Sequence, residues 1–456
     1  MTKVLPEMLL RVLRENPRAK SADLCRLLGN INRSTLSRGL HSLGDRVVSR
    51  GGSRRTRHAL RRALRGGEAS LPLYRIDEAG RGHEVGQLDL VYPEGSALSL
   101  VGEFPWPLSE DMKDGWFDGL PYPLVDMRPQ GFIGRNFARK YALDLHVPEN
   151  PEEWAEHDIV HVLSIMGHDQ PGDLILGEAS YRRFIEARQM GRERYLTEDL
   201  MALAYPERAA MALAHGVAGS STGGEFPKFT ASRTLDEKNV EVIVKFSGGD
   251  NSPAVRRWAD LLVCEHLALD TVRSQFQIPA AESSIRRYSG RTFLEVIRFD
   301  RHGEFGRSAV CTLGSLNSAL VGYGASPWPR TAQALHKAGW LSAEDLSRIE
   351  RVWWFGRLIG NTDMHEGNLA FRPGLALAPV YDMLPMMYAP SRGGELPGRT
   401  YTAALPLPGE LSVWGQVAEV AIDYWARCSA DQRISGDFRA VCAENAKVIA
   451  GAAGET

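Results

Sequence analysis

Asp363, Asn368 and Asp382 are the residues of this chain whose types and spacing best suit a shared chemical task. The first two stand in Gly360-Asn361-Thr362-Asp363-Met364-His365-Glu366-Gly367-Asn368, and the third follows one short apolar stretch later in Val380-Tyr381-Asp382. An acid, an amide five positions on and a second acid on the next strand make up the set used for phosphoryl transfer. One Asp accepts the proton of an attacking hydroxyl, while the Asn and the other Asp hold Mg²⁺ against the phosphates of ATP. An Asp/Asn-rich turn that merely bonds its own backbone has a similar composition, so the surrounding elements have to separate the two readings.

Those elements favour chemistry. Residues 353–359 read as a buried helical run ending at Gly360, and residues 369–371 and 379–381 read as short strands. The acids and the amide then project from the ends of adjacent elements toward one ligand. Upstream, residues 216–230 form a small-residue loop opening into a strand, and residues 240–246 form a clear strand carrying Lys245 near its end. A loop whose backbone N–H groups approach phosphates, followed by a strand lysine, is the nucleotide-cradling half of a kinase fold. The loop matches neither G-x-G-x-x-G nor Walker A, so the weight lies on the order: loop, strand lysine, helix over 254–269, strand pair, then the Asp/Asn/Asp set. Residues 291–301 read as a strand running into a connector, where a kinase places its adenine-contacting hinge.

A chain of 456 residues calls for two or three domains. No apolar run is long enough to span a bilayer and the first eleven residues lack a signal-peptide core, so the expectation is a cytoplasmic protein with no membrane partner. Five scattered cysteines, none in a C-x-x-C pair, argue against a disulfide framework or zinc site. The net charge of −2 conceals an asymmetry: residues 1–66 hold 16 Lys/Arg against 4 acids, a +12 head on a −14 body. Such a split points to a polyanion-binding head.

Within that head, Leu5, Leu9, Leu10 and Leu13 give one helical face that ends at Pro17, and Ser21 starts a second helix stopped by Gly29. A third helix begins at Asn32 or Ser34, with Leu36, Leu40 and Leu43 inward and Arg33, Ser34, Thr35, Ser37 and Arg38 outward. Residues 46–50 read as a strand and residues 51–58 as a basic hairpin tip with Arg54, Arg55 and Arg57. This is the pattern of a winged helix-turn-helix, whose third helix enters the major groove and whose wing arginines meet phosphates or the minor groove. A docking domain with a solvated arginine face is the competing reading. Residues 66–70 read as a hinge leaving the head, and helices are expected over 135–141, 152–166 and 181–187.

Taken together, Ser-Ser-Thr-Gly-Gly-Glu-Phe-Pro-Lys-Phe at 220–229, Val-Ile-Val-Lys-Phe at 242–246, Val-Ile-Arg-Phe-Asp-Arg at 296–301, Asn-Thr-Asp-Met-His-Glu-Gly-Asn at 361–368 and Tyr-Asp at 381–382 resemble the HipA-like serine/threonine kinases, toxins of bacterial toxin–antitoxin modules. The resemblance covers roughly residues 70–450. With the winged helix-turn-helix read over 1–66, it implies an α+β chain with a kinase N-lobe over 67–300, including an N-subdomain over 67–200, and a mainly helical C-lobe over 301–456. It makes Asp363 the base, Asn368 and Asp382 the Mg²⁺ ligands, and Lys245 the holder of the ATP α- and β-phosphates. The loop of Thr222, Gly223, Gly224, Glu225, Phe226, Pro227 and Lys228 would cover the phosphates. Ile297, Arg298 and Phe299 would line the adenine, with His365 and Tyr381 at the same site. Ser220 matches the serine autophosphorylated in this family, with Ser221 as its neighbour and competitor; the added charge would disfavour packing beside ATP.

The fused head sets this chain apart from toxins that rely on a separate helix-turn-helix antitoxin, and resembles the YjjJ-type branch. The helix after Lys245 also lacks the family's Glu-rich start, which leaves Asp260 and Glu265 as rival partners for the lysine. The implied substrate is a translation component such as an aminoacyl-tRNA synthetase, and an antitoxin is an implied partner. Two other classes share parts of the pattern: a non-catalytic DNA-binding regulator with a nucleotide-sensing body, and a small-molecule phosphotransferase of the aminoglycoside type.

Overall fold

The computed structural model describes residues 4–189, 195–214, 226–391 and 393–455. Three helices open it: α1 (Val4–Glu15), α2 (Ser21–Leu27) and α3 (Arg33–Leu43), closed over a core that includes Leu9, Leu13, Leu24, Leu36 and Leu43. Asn32 settles where α3 begins, because its side chain accepts the Thr35 N–H at 2.8 Å as an N-cap. Strands β1 (Ala19–Lys20), β2 (Val47–Arg50) and β3 (Arg57–Leu60) form a small antiparallel sheet in the order β1-β3-β2.

The next body is a five-stranded sheet, β4 (Ser70–Ile76), β5 (Gly82–Leu90), β6 (Ser96–Leu100), β7 (Trp116–Phe117) and β8 (Leu174–Leu176), in the order β7-β6-β5-β4-β8. The short helices α4 (Glu110–Lys113) and α5 (Tyr122–Val125) and the longer α6 (Gly131–Leu145), α7 (Glu156–Met166) and α8 (Glu178–Gln189) accompany it. Leu71 and Leu73 of β4 and Leu88 and Leu90 of β5 alternate inward to meet Val160 and Leu163 of α7. The expected hinge at 66–70 is tied down on its head side. Arg62 pairs with Glu156 at 3.0 Å, and Arg65 reaches Asp158 at 2.6 Å and the Leu145 carbonyl at 2.7 Å.

Helix α9 (Glu198–Ala214), which the sequence reading did not anticipate, lays Met201, Tyr205 and Ala209 on one face of a second sheet. That sheet holds β9 (Lys228–Leu235), β10 (Lys238–Phe246), β11 (Ser283–Tyr288) and β12 (Arg291–Ile297), antiparallel in the order β11-β12-β10-β9. Its other face takes α10 (Pro253–Gln275), which runs past both ends of the expected 254–269. A small hairpin, β13 (Arg301–His302) with β14 (Gly306–Arg307), follows the connector.

The remainder is mainly helical. Strands β15 (Cys311–Thr312), β16 (Ala370–Arg372) and β17 (Ala376–Leu377) make a three-stranded sheet beside α11 (Leu313–Leu316), α12 (Trp328–Lys337), α13 (Ala343–Leu358), α14 (Leu411–Ala430) and α15 (Gly436–Glu455). Phe355, Trp414, Trp425 and Phe438 fill one large core shared with the buried side of α10. The stretch expected as a strand at 379–381 contributes a single parallel bridge, Ala280 to Val380. No helix among the described residues is long and apolar enough to cross a membrane.

Candidate active site

Helix α13 delivers the acid-bearing loop. Gly360 ends it at φ +73°, and an added Cβ there would lie 2.6 Å from the Met387 sulfur, so both the turn and the packing require glycine. Asn361 follows, buried, and it links the two acids: its Oδ1 accepts the Asp363 N–H at 3.0 Å while its Nδ2 donates to the Asp382 carbonyl at 3.2 Å. This positioning residue was not singled out beforehand, although it opens the same motif. Asn368 Nδ2 then donates to the Asp363 carbonyl at 2.8 Å, which closes the loop on itself. Glu366 accepts from Asn317 at 2.8 Å and from Thr331 at 2.6 Å, and the Trp328 indole donates to the His365 carbonyl at 3.0 Å. The loop is therefore tied to α12 and the turn before it, and the Asp363 side chain stays exposed.

The second sheet contributes the cation. On β10, Val242, Val244 and Phe246 face α9, so the two-residue period turns Lys245 to the opposite face, toward α10. Its Nζ donates to both Glu265 oxygens, at 2.6 and 2.8 Å, and to Asp382. Glu265 is thus the acidic partner of Lys245. Asp260 is occupied elsewhere, accepting the Ser435 N–H at 2.7 Å and its hydroxyl at 2.6 Å just before α15. Burial works against the ammonium, but the Asp382 and Glu265 carboxylates outweigh it and hold Lys245 above the usual lysine range. Burial likewise pushes the Asp382 carboxyl up, and Lys245 with Lys228 overrides it, bringing Asp382 down to about 2. Asp382 sits in the left-handed region at φ +53°.

Two oxygens are left free in this arrangement. With Asn368 Nδ2 given to Asp363 and one Asp382 oxygen given to Lys245, Asn368 Oδ1 and Asp382 Oδ2 have no hydrogen-bond partner among the described residues. Hard oxygen donors from one amide and one ionised carboxylate fit Mg²⁺, which takes few protein ligands and fills its shell with water and phosphate.

The remaining expected residues divide. Tyr381 donates to the Gly367 carbonyl at 2.7 Å and its ring lies 5.8 Å from that of Phe299, so both belong to the site wall. His365 is exposed at the rim, its Nδ1 accepting the Gly367 N–H at 3.1 Å. Phe226 is buried with its ring edge-on to Trp258 at 4.4 Å and 6.0 Å from Lys245 Nζ. The Pro227 carbonyl accepts the Phe246 N–H at 3.1 Å, and Lys228 lies directly across from Lys245 on β9. Ser220, Ser221, Thr222, Gly223, Gly224 and Glu225 lie outside the described residues.

Two connector residues turn away from the cleft. Ile297 pairs with Val242 and packs with it on the α9 face, so Val296 is the residue of that strand turned to the α10 side. The Arg298 guanidinium goes to Asp300 at 3.0 Å and Asp169 at 3.6 Å, and its backbone N–H goes to the Glu241 carbonyl.

In the head, Arg33, Ser34, Ser37 and Arg38 are exposed on α3, and Thr35 is half-buried. Arg33, Ser37, His41 and Arg54 line a groove of about 640 Å³ between α3 and the β2–β3 tip, with His58 among the residues lining it. Arg55 and Arg57 lie on the other flank and pair with the middle segment: Arg55 with Glu110 and Asp114 at 3.5 and 3.3 Å, Arg57 with Asp111 at 2.9 Å.

Known proteins bear on both parts. Residues 67–185 match the family model of the YjjJ-like toxin middle domain, and residues 220–444 match that of the HipA-like C-terminal domain. The chain is 37% identical over 418 residues to Toxin YjjJ of Escherichia coli (strain K12), a span covering 91% of each. It is also similar to a solved chain of the Shewanella oneidensis MR-1 toxin–antitoxin system HipA, HipB and operator DNA complex. That match has a TM-score of 0.55, covers 84% of this chain and 97% of that one, and has 14% identity, a likeness of fold.

Proposed function

The chain belongs to the HipA-like toxins, in their YjjJ-like branch, and from that premise we propose that it is an ATP- and Mg²⁺-dependent protein serine/threonine kinase whose winged helix-turn-helix binds duplex DNA. The observation that carries the kinase reading is the pair of hydrogen bonds by which Asn361 accepts from the Asp363 N–H and donates to the Asp382 carbonyl, with Lys245 held between Glu265 and Asp382. A pocket that only sensed a nucleotide would have no use for an exposed acid whose backbone is tied to that of Asp382.

In this reading Asp363 orients the attacking hydroxyl and takes its proton, and Lys245 neutralises the α- and β-phosphates of ATP. Asn368 and Asp382 would hold Mg²⁺, which supplies charge neutralisation on the phosphates when bound. Phe226, Pro227 and Lys228, with Thr222 to Glu225, form the phosphate cover, and Phe299 and Tyr381 form the adenine wall. Ser220, or its neighbour Ser221, is the expected autophosphorylation site. The expected substrate is a translation component such as an aminoacyl-tRNA synthetase in the cytoplasm. An antitoxin partner is proposed because the similar solved assembly contains HipB with operator DNA.

For DNA, the support is the exposed Arg33 and Arg38 on α3 and the groove that Arg33 shares with Arg54. Transfer from γ-labelled ATP into proteins of a lysate tests the kinase: Asp363→Asn is expected to lower the rate by about 10²–10⁴-fold while nucleotide binding stays within a few-fold. Labelling confined to sugars or antibiotics would establish a small-molecule phosphotransferase instead, and no labelling of any protein, this chain included, would leave a DNA-binding regulator.

A further inference from the structure

The hairpin tip has two flanks with different neighbours. Arg54 turns to the α3 groove. Arg55 and Arg57 turn to α4 of the middle segment, where Arg57 makes a two-pronged bond to Asp111 at 2.9 and 3.3 Å and Arg55 spans Glu110 and Asp114. The contact is close: a Cβ on Gly51 would lie 2.9 Å from the Arg55 carbonyl oxygen and 3.3 Å from the Asp114 carboxyl carbon.

Nearer its root, the same hairpin is pinned differently. Arg50 and Arg61 converge on Asp89 at 2.8 and 3.1 Å, and Asp89 is only 1% exposed. Breaking so buried a pair is costly. At the tip, the side chains of Arg55, Glu110 and Asp111 are 61%, 76% and 62% exposed, and those of Arg57 and Asp114 are 27% and 12% exposed. Each tip pair thus has at least one well-exposed member, and such pairs yield to other anions more readily than one closed on a buried carboxylate. The root is therefore held more firmly than the tip.

Building on the DNA reading above, we propose that α4 is a mask on the wing: Glu110, Asp111 and Asp114 stand where duplex phosphates would stand. DNA seated along α3 gains Arg55 and Arg57 only by winning them from the middle segment. The carboxylates also repel the incoming backbone, so unmasked and masked heads differ in how many phosphates they neutralise.

The test is binding of a fluorescent random-sequence duplex to the full chain across a salt series. Glu110→Gln with Asp111→Asn is expected to raise low-salt affinity roughly tenfold and to steepen the slope of log affinity against log salt by about one to two, since Arg57 is released and Arg55 keeps only Asp114. Adding Arg55→Gln and Arg57→Gln to that background returns the wild-type slope. The single Asp111→Asn variant gives about half the effect and serves should the double variant fail to fold. An unchanged slope in the α4 variants, or a gain that survives loss of the two arginines, overturns the mask while leaving DNA binding intact. Wild type and Arg33→Ala/Arg38→Ala failing alike to bind any duplex overturns the DNA reading and the mask with it.

Discussion

At the scale of single residues, the membership of the cluster was legible and its wiring was not. Asp363, Asn368, Asp382 and Lys245 were singled out by type and spacing, and the structure brings them together through Asn361 and the Lys245–Asp382 pair. The partner of Lys245 was not readable. Asp260 and Glu265 are five positions apart on α10, which puts them on different faces, and a helix with one polar face would have decided between them. Yet α10 is buried on nearly every side, with Leu261, Leu262, Val263 and Cys264 all fully enclosed, so its hydrophobic pattern points nowhere. The assignment has a kinetic consequence. Glu265→Gln is expected to lower kcat/KM for ATP by about 10- to 100-fold, the worth of a hydrogen bond to a charged group of about 1.5–3 kcal/mol. Asp260→Asn is expected to leave the kinetics near wild type and to lower stability by about 1–3 kcal/mol through weakened bonds to Ser435. Steady-state rates and thermal melts of the two variants read this directly, and reversed effects would return the role to Asp260.

Elements were legible where a periodic face was strong and less so where packing decided. The three head helices are present within a residue or two of expectation, and β10 and β12 also appeared as strands. In the connector, parity decides which side chain faces the cleft: β12 alternates, so Val296 and not Ile297 is turned to the α10 side. Helix α9 escaped because it carries Pro206 in its interior, which reads as a helix breaker, and its inward residues are only three, at four-residue spacing. The head carries one prediction of its own. His58 on β3 is buried between the Ser21 hydroxyl at 2.8 Å and the Ser49 hydroxyl at 2.7 Å, where burial lowers it to about 4. The unfolded chain takes up that proton near pH 6.5, so between about pH 6.5 and 4 it binds a proton that the fold refuses. Stability contributed by neutral His58 is full above 6.5 and falls with pH toward 4, by about 3 kcal/mol for a shift of that size. Denaturation of the full chain at a series of pH values should show this slope for wild type and a shallower one for His58→Gln. Parallel slopes would remove His58 from the acid response.

Over the whole molecule, the charge split that first suggested a polyanion site is met in part from within. Among the described residues, Arg18, Arg50, Arg55, Arg57, Arg61, Arg62 and Arg65 each pair with an acid of the body, so much of the basic excess of the head is met by the acidity of the middle segment. Composition cannot distinguish arginines meant for phosphate from arginines meant for a neighbouring carboxylate, since both need the same cation. The middle segment also grips the C-terminal half. Asp126, just past α5, accepts the Thr312 N–H at 2.6 Å, the Thr312 hydroxyl at 2.7 Å and the Ser315 hydroxyl at 2.6 Å, fixing the start of α11. Helix α11 packs on the Glu366–Asn368 turn, and the Leu313 N–H bonds the Leu369 carbonyl at 2.8 Å. A carboxylate 186 residues upstream in sequence from its partner thus braces the loop that holds Asp363 and Asn368. Asp126→Ala leaves three donors unmet and is expected to cost about 1–3 kcal/mol of stability. Because the brace touches the loop and not Lys245, to which the proposed function gives the phosphates, kcat should fall about tenfold or more while KM for ATP moves less than about threefold. Asp126→Asn, which keeps an acceptor oxygen in the same shape, should recover part of the rate. A fall in melting temperature with kcat unchanged, measured well below the transition, would reduce Asp126 to a structural clamp and uncouple the middle segment from catalysis.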